Sequence, residues 1–199
     1  MSSRFLTLGP GTNHAVVAAR YLEFHGVDPA QLEFVETPDA ALAMLLGGEA
    51  DWFILCSVHP AAPRAVGHFM RGVFIADCFI APSKKLAILT HADVARPRSI
   101  GLFSAVEDYA DVSAWETRVV IGEGSLVAVG ARLLAREFDS ALVYAAFADE
   151  HPGMFRVDAQ IESPDDAWLV LGRQRVVEPD GLVARRDSAV AATLHKQSG

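Results

Sequence analysis

The stretch from Phe5 to His14, FLTLGPGTNH, decides the fold prediction. Four strand-forming residues precede a tight Gly-Pro-Gly-Thr turn, and apolar residues then recur at helical spacing at Val17, Tyr21 and Phe24. This order predicts a strand, a glycine-rich loop and an amphipathic helix. Such a loop exposes backbone N–H groups beside a helix N-terminus, which favours a carboxylate or a phosphate. A tight turn that binds nothing is the alternative interpretation.

The same alternation of strand and helix continues along the chain. Thr37-Pro38 opens a second helix well, because threonine is a good N-cap and proline suits the first helical position, and Gly47-Gly48 is expected to close it. Residues 51–55, DWFIL, predict a buried strand, and residues 118–121 predict another that runs into Gly122-Glu123-Gly124-Ser125 and a further helix. This alternation predicts an α/β protein with mostly parallel sheets covered by helices.

The chain is expected to divide into two lobes. Pro82 interrupts a long run of strand-forming residues, and an interrupted strand of this kind can pass from one lobe to another. The predicted first lobe comprises residues 1–80 and 160–175, the second lobe residues 81–159, and a C-terminal tail with one weak helix residues 176–199. Open α/β sheets bind ligands outside the carboxyl ends of their strands, so the predicted site is the cleft between the lobes.

Composition limits the class of function. The 199 residues are 51% hydrophobic and 21% charged, which is typical of a globular protein. A formal charge of -8, with no basic run longer than two residues, disfavours nucleic acid as a partner. The sequence contains neither a stretch of about 20 apolar residues nor a signal-type N-terminus, so we expect a cytoplasmic protein with no membrane partner. A homodimer is expected only because two-fold dimers are the commonest oligomers.

Few side chains offer chemistry by their local pattern. Ser57 and His59 follow the buried strand, where the histidine could bind a carboxylate, move a proton or satisfy nearby backbone groups. Ser125 could bind a ligand or only cap its helix. The histidines and cysteines lack metal-ligand spacing and no GxSxG elbow is present, so no metal site and no serine hydrolase are expected. Cys56 and Cys78 lie in apolar runs and are expected to be buried, reduced thiols.

Several of these motifs resemble the catalytic domain of prephenate dehydratases. Leu8-Gly9-Pro10-Gly11-Thr12 is similar to the LGPxGT signature of that family, with one residue fewer between Pro10 and Gly11. Residues 48–55, GEADWFIL, are similar to the GxADYxVVP strand of the family. The resemblance covers about residues 4–174. It implies the two-lobed periplasmic-binding-protein-like fold, with an interlobe cleft that takes a small carboxylate.

The residues at the family's reaction motifs differ. Ser57-Val58-His59-Pro60 stands where the family has PxEN, so the signature glutamate and asparagine are absent. Glu123-Gly124-Ser125 stands where the family has a substrate-binding Ser-Thr pair, which leaves Ser125 as the hydroxyl. Asp166-Ala167-Trp168 replaces the Thr-Arg-Phe reaction motif. Dehydration of prephenate by the familiar route is therefore not expected.

A closer likeness is to the short prephenate decarboxylases of bacilysin-type antibiotic pathways. These also lack Thr-Arg-Phe and have a tryptophan before a strand similar to Trp168–Arg173. The resemblance implies a cofactor-independent carbon–carbon lyase of aromatic amino acid or antibiotic biosynthesis that decarboxylates prephenate without forming an aromatic ring. His14 or His59 would then donate the proton. The predicted substrate contacts are Thr12, Asn13, Ser57, Lys84, Ser125, Asp166 and Trp168.

Two other functions stay open at this point. The missing reaction motif is compatible with a protein that binds a small carboxylate and does no chemistry. A dehydratase-like lyase or a deaminase that acts on another aromatic acid is the second alternative. Single turnover of a bound acid would separate the binding protein from both enzymes, because a binding protein returns its ligand intact.

Overall fold

Two five-stranded sheets, each flanked by helices, form the molecule. The structure is a computed structural model that describes residues 3–122, 124–163, 165–178 and 181–184, apart from the side chain of Phe69. The weak helix predicted within residues 176–199 falls largely on positions 179–180 and 185–199, which lie outside the described residues.

The first sheet combines strands from both ends of the described chain. Its strands are β1 (Phe5–Leu8), β2 (Leu32–Val35), β3 (Trp52–Cys56), β4 (Phe74–Pro82) and β10 (Asp165–Gly172), in the order β2-β1-β3-β10-β4. The helices of this lobe are α1 (Asn13–Phe24), α2 (Pro38–Gly47) and α3 (Ala62–Gly67). Short 3-10 helices cover Pro29–Gln31 and His68–Arg71.

The second sheet is built from one continuous part of the chain. Its strands are β5 (Leu86–His91), β6 (Ser99–Phe103), β7 (Thr117–Ile121), β8 (Ser140–Tyr144) and β9 (Phe155–Ile161), in the order β7-β6-β8-β5-β9. Its helices are α4 (Leu126–Leu134) and α5 (Ala146–Glu150), with a 3-10 helix at Ser104–Tyr109. Among the described helices, none is both long and apolar enough to cross a membrane.

The α/β prediction with two lobes is confirmed, and both sheets are mixed. β1 pairs in parallel with β2 and β3, and β6 pairs in parallel with β7 and β8. β10 and β5 pair antiparallel with both of their neighbours. The parallel character therefore holds for half of the pairings. The chain changes sheets twice, after Pro82 and after Ile161, and antiparallel strands lie next to both places. An antiparallel pair does not need the helical crossover that connects parallel strands.

The ends of α2 lie where the residue types at its two ends predicted them. The Thr37 hydroxyl accepts the N–H of Ala40, and Pro38 occupies the first position of α2. Gly48 ends the helix in the left-handed conformation, with φ of 77°. A glycine suits this position because residues with a Cβ are strained there.

Each lobe has its own apolar core, and one cysteine departs from expectation. The cores lie between the sheets and their helices, with Trp168 wholly buried in the first lobe and Leu133 in the second. Cys56 is buried as expected, whereas Cys78 is exposed. The prediction for Cys78 was wrong because β4 is an edge strand whose residues are only partly covered.

Candidate functional site

A cavity of about 870 Å³ lies between the lobes, at the crossing from β4 to β5. This volume is in the range of about 300–1,000 Å³ that is typical of small-molecule sites. The cavity brings together most of the predicted site residues: Thr12, Asn13, His14, His59, Lys84, Ser125 and Asp166. Ser57 and Trp168 do not line it. Trp168 is wholly buried, so its position does not support direct contact with a substrate. The Ser57 backbone N–H donates to Ala167 O at 2.9 Å, and a substrate contact of its side chain stays a prediction.

The Thr12 hydroxyl is used within its own loop. Its Oγ1 accepts the N–H of Ala15 at 3.3 Å, which caps α1, and donates to Gly9 O at 2.7 Å. A hydroxyl has a single proton, so this side chain cannot donate to a ligand while both contacts hold. The structure therefore shows Thr12 as the cap of α1, and its contact with a substrate stays a prediction.

Asn13 joins the two lobes. Its backbone N–H donates to the Tyr144 hydroxyl at 3.1 Å, and its Oδ1 accepts the backbone N–H of Lys84 at 2.8 Å. Its Nδ2 donates to the Ser83 hydroxyl. The anion site predicted at the start of α1 is thus partly filled by groups of the protein itself.

His14 is buried against Trp168 and is held in its neutral form. Its Nε2 accepts the backbone N–H of Cys56 at 3.2 Å, and its ring centroid lies 5.1 Å from that of Trp168. Burial, together with nearby His59, lowers the pKa of His14 to about 3. An imidazole that stays neutral at pH 7 cannot act as an imidazolium acid, so the geometry does not support His14 as the proton donor.

His59 is similarly constrained. Its Nδ1 accepts the N–H of Ala61 at 3.1 Å, which puts the proton of the neutral ring on Nε2. Burial lowers the pKa of His59 below its ordinary value. His59 can therefore donate a hydrogen bond to a ligand from Nε2, but an imidazolium is disfavoured here as well.

Lys84 brings a positive charge into the cleft. Its Nζ donates to Gly11 O at 2.7 Å and lies 4.9 Å from the centroid of the Tyr144 ring. An ammonium group has three donors, so this contact leaves others for a ligand. Arg64 also lines the cavity, but it pairs with Asp39.

Ser125 is the N-cap residue of α4. Among the described residues, its side chain makes no capping hydrogen bond. Gly124 before it has φ of 94°, a conformation that favours glycine, and both residues line the cavity. The first N–H groups of α4 and the Ser125 hydroxyl together form a suitable site for a carboxylate. The Ser125 hydroxyl is therefore still available to bind a ligand, whereas the Thr12 hydroxyl already caps α1.

Ser83, Tyr109 and Tyr144 are among the polar residues of the cleft that were missed from the sequence. Burial raises the pKa of both tyrosines, so each keeps its proton at neutral pH. Burial raises the pKa of the Cys56 thiol to about 12, which makes it a poor nucleophile. Tyr144 could have been suspected because it ends a predicted strand, and Ser83 because it lies at the predicted lobe crossing. Tyr109 follows no local pattern.

The different roles of Thr12 and Ser125 lead to a prediction. Thr12→Ala is expected to lower the free energy of unfolding by about 1 kcal/mol, because it removes the cap of α1. Ser125→Ala is expected to change stability by less than about 0.5 kcal/mol, because no capping bond is lost among the described residues. Urea denaturation of both variants measures this difference. Equal losses would mean that Ser125 is also a structural cap.

Comparison with known proteins supports the fold alone. No protein-family model matches the sequence, and no curated protein sequence is significantly similar to it. A prephenate dehydratase from Arthrobacter aurescens, in complex with L-Phe, superposes with a TM-score of 0.61 at 16% identity over 87% of this chain. This chain spans 61% of the length of that protein.

Other solved structures include both enzymes and transport proteins. The prephenate dehydratase of Staphylococcus aureus gives a TM-score of 0.56 at 9% identity over 98% of this chain and 78% of its own. An ABC transporter from Parabacteroides distasonis gives 0.56 at 14% identity over 86% of this chain and 66% of its own. The chain therefore has the two-lobed α/β fold that periplasmic-type binding proteins share with prephenate dehydratases.

Proposed function

We propose that the cleft binds a small cyclic carboxylate and that the protein acts on it as a cofactor-independent lyase. Non-aromatising decarboxylation of prephenate is the first candidate reaction. The observation that supports this proposal is the presence of two groups in one interlobe cavity. They are the Lys84 ammonium and, at the start of α4, the Ser125 hydroxyl, which makes no capping hydrogen bond among the described residues. A positive charge, a hydroxyl and a helix N-terminus are each suited to a carboxylate.

The wall beside these groups is apolar. Leu86, Phe103, Val106 and Leu126 line the same cavity, and all four are buried. A carboxylate surrounded by apolar side chains loses part of its hydration, which favours its departure as carbon dioxide. The bond from the ring carbon to the carboxyl carbon breaks, its electron pair moves into the ring, and another ring carbon takes up a proton. The ring hydroxyl is retained.

Lys84 replaces the two histidines as the candidate proton donor. Both imidazoles are held neutral, by the backbone N–H groups that they accept and by burial. The Lys84 ammonium carries a proton within the cavity and contacts only one acceptor there, Gly11 O, among the described residues. In this proposal the carboxylate lies at Ser125 and the start of α4, and Lys84 supplies the proton.

A carboxylate-binding protein without chemistry is the second candidate. It is favoured by the hydrogen-bond donors of the cleft. Burial raises the pKa of Tyr109 and Tyr144, so both keep their protons at neutral pH, and the neutral ring of His59 has its proton on Nε2. The hydrogen bond from the Asn13 N–H to the Tyr144 hydroxyl, which joins the two lobes, also suits a protein that closes around its ligand.

Incubation with prephenate near neutral pH, followed by NMR, tests the proposal. Loss of carbon dioxide with a retained dihydro ring is the expected result, whereas phenylpyruvate would indicate a dehydratase. Unchanged prephenate would favour the binding protein or another carboxylate.

Lys84→Met is expected to lower the decarboxylation rate at least 100-fold, because it removes both the charge and the proton. Lys85→Met is the matched control, because Lys85 is exposed and pairs with Glu162 at 3.4 Å. Equal rates in the two variants would exclude Lys84 from the reaction.

A further inference from the structure

The carboxyl group of Asp166 is nearly enclosed and has no cationic partner among the residues that the structure describes. Asp166 is 6% exposed and lines the cavity. None of the ion pairs among the described residues includes it. The neighbouring Asp165 is exposed, since successive residues of β10 point to opposite faces of the sheet.

A chain of hydrogen bonds fixes which group donates to Asp166. The backbone N–H of Lys84 can only donate, so the side-chain oxygen of Asn13 accepts from it and the Asn13 Nδ2 must point the other way. This Nδ2 donates to the Ser83 hydroxyl, which therefore has its own proton left for Oδ2 of Asp166. Lys84, Asn13 and Ser83 thus form a series of hydrogen bonds in which Asp166 is the final acceptor.

Part of the acceptor capacity of this carboxylate is unused. A carboxylate has about four lone-pair sites, and the Ser83 hydroxyl donates to one of them. Besides burial, the charge of Asp166 and a side-chain hydrogen bond to it raise the pKa of Cys56 and of Tyr109, so these two groups are further neighbours of the carboxylate. A buried carboxylate without a cationic partner among the described residues is costly, and a donor from a ligand would offset that cost.

We propose that Asp166 is a subsite for a hydrogen-bond donor of the ligand, a hydroxyl or an ammonium group, while the ligand carboxylate lies at Ser125 and the start of α4. The inference rests on the proposed function for the position of the carboxylate. It adds that the ligand carries a second polar group.

This subsite also bears on the outcome of the proposed reaction. A hydroxyl leaves readily only when an acid protonates it. An acceptor carboxylate takes a hydrogen bond from the hydroxyl and gives it no proton. A ring hydroxyl bound to Asp166 therefore stays on the ring while carbon dioxide leaves.

Three ligands with one carbon skeleton test the subsite on the full chain by calorimetric titration. They are cyclohexanecarboxylate and its 4-hydroxy and 4-amino derivatives, which differ only in the donor across the ring. We expect the wild-type protein to bind at least one donor-bearing ligand about tenfold more tightly than the parent acid. Asp166→Asn is expected to remove this preference while keeping the affinity for the parent acid. Asp165→Asn is the matched control and is expected to retain the preference.

The pattern among the ligands identifies the donor and separates the two proposals. A preference for the amino derivative alone points to an ammonium, and a preference for the hydroxy derivative points to a hydroxyl. Equal affinities in the wild-type protein, no binding of any of the three, or a preference that survives Asp166→Asn would overturn the subsite. The wild-type comparison decides this even if the variant does not fold. A donor preference together with unchanged prephenate would leave the subsite standing and remove prephenate decarboxylation as the reaction.

Discussion

Replacing Trp168 by alanine is expected to lower the free energy of unfolding by about 3–5 kcal/mol. Trp168 is wholly buried in β10, between β3 and β4, and its Nε1 donates to Ala81 O at 3.3 Å. Its ring packs against His14 and Phe79, with centroids 5.1 Å and 6.3 Å away. Alanine would leave a cavity between these rings. Because β10 is hydrogen-bonded to β3 on one side and β4 on the other, the strand can move only slightly to fill it.

Guanidinium denaturation measures this loss, and two further variants make it specific. Trp168→Phe is expected to cost less, because it keeps an aromatic ring and loses only the indole donor and part of the volume. Phe24→Ala serves as the surface control, since Phe24 is 84% exposed and should change stability by less than about 0.5 kcal/mol. A loss below about 1 kcal/mol for Trp168→Ala would contradict the described packing.

Acid is expected to destabilise the protein strongly through His14. The unfolded chain has an ordinary histidine pKa of 6.5, whereas the folded pKa is about 3 because the ring is buried and lies near His59. Between these values the unfolded state binds more protons, so stability falls as the pH falls. The contribution is fully present above pH 6.5. By pH 4.5 the loss from this one group amounts to about 3 kcal/mol.

His14→Gln isolates this contribution from that of the carboxylates. Glutamine keeps an acceptor for the Cys56 N–H but does not titrate. Denaturation at pH 6.5 and pH 4.5 should therefore show a loss in the wild-type protein that exceeds the loss in the variant by about 2 kcal/mol. The same loss in both proteins would mean that His14 takes up its proton in the folded state.

Features that depend on near neighbours in the chain could be predicted well from the sequence. Thr37, Pro38 and Gly48 define α2 because caps and left-handed turns depend on residue type and short spacing. The glycine-rich loop before α1 was predicted for the same reason. The order of these units, together with the resemblance to prephenate dehydratases, was sufficient for the two-lobed α/β fold.

The use of each polar group could not be predicted, because it depends on contacts between distant parts of the chain. The N–H of Asn13 was expected to be free for a ligand, but Tyr144, 131 residues away, accepts it. His14 was expected to carry a proton, but the backbone of Cys56 and the indole of Trp168 enclose it. Cys78 was expected to be buried, and its exposure follows from the edge position of β4, which no local pattern reveals.

The position of β10 affects the order in which the molecule can be completed during synthesis. β10 is the last strand of the described residues, yet it lies inside the first sheet, between β3 and β4. All five strands of the second sheet lie within residues 86–161. During synthesis, the second lobe therefore has its full set of strands while the first lobe still lacks an inner strand. The facing edges of β3 and β4 stay unpaired until residues 165–172 have been synthesised. Because domains tend to fold as units while the chain emerges from the ribosome, the lobe that begins second is the one that can finish first.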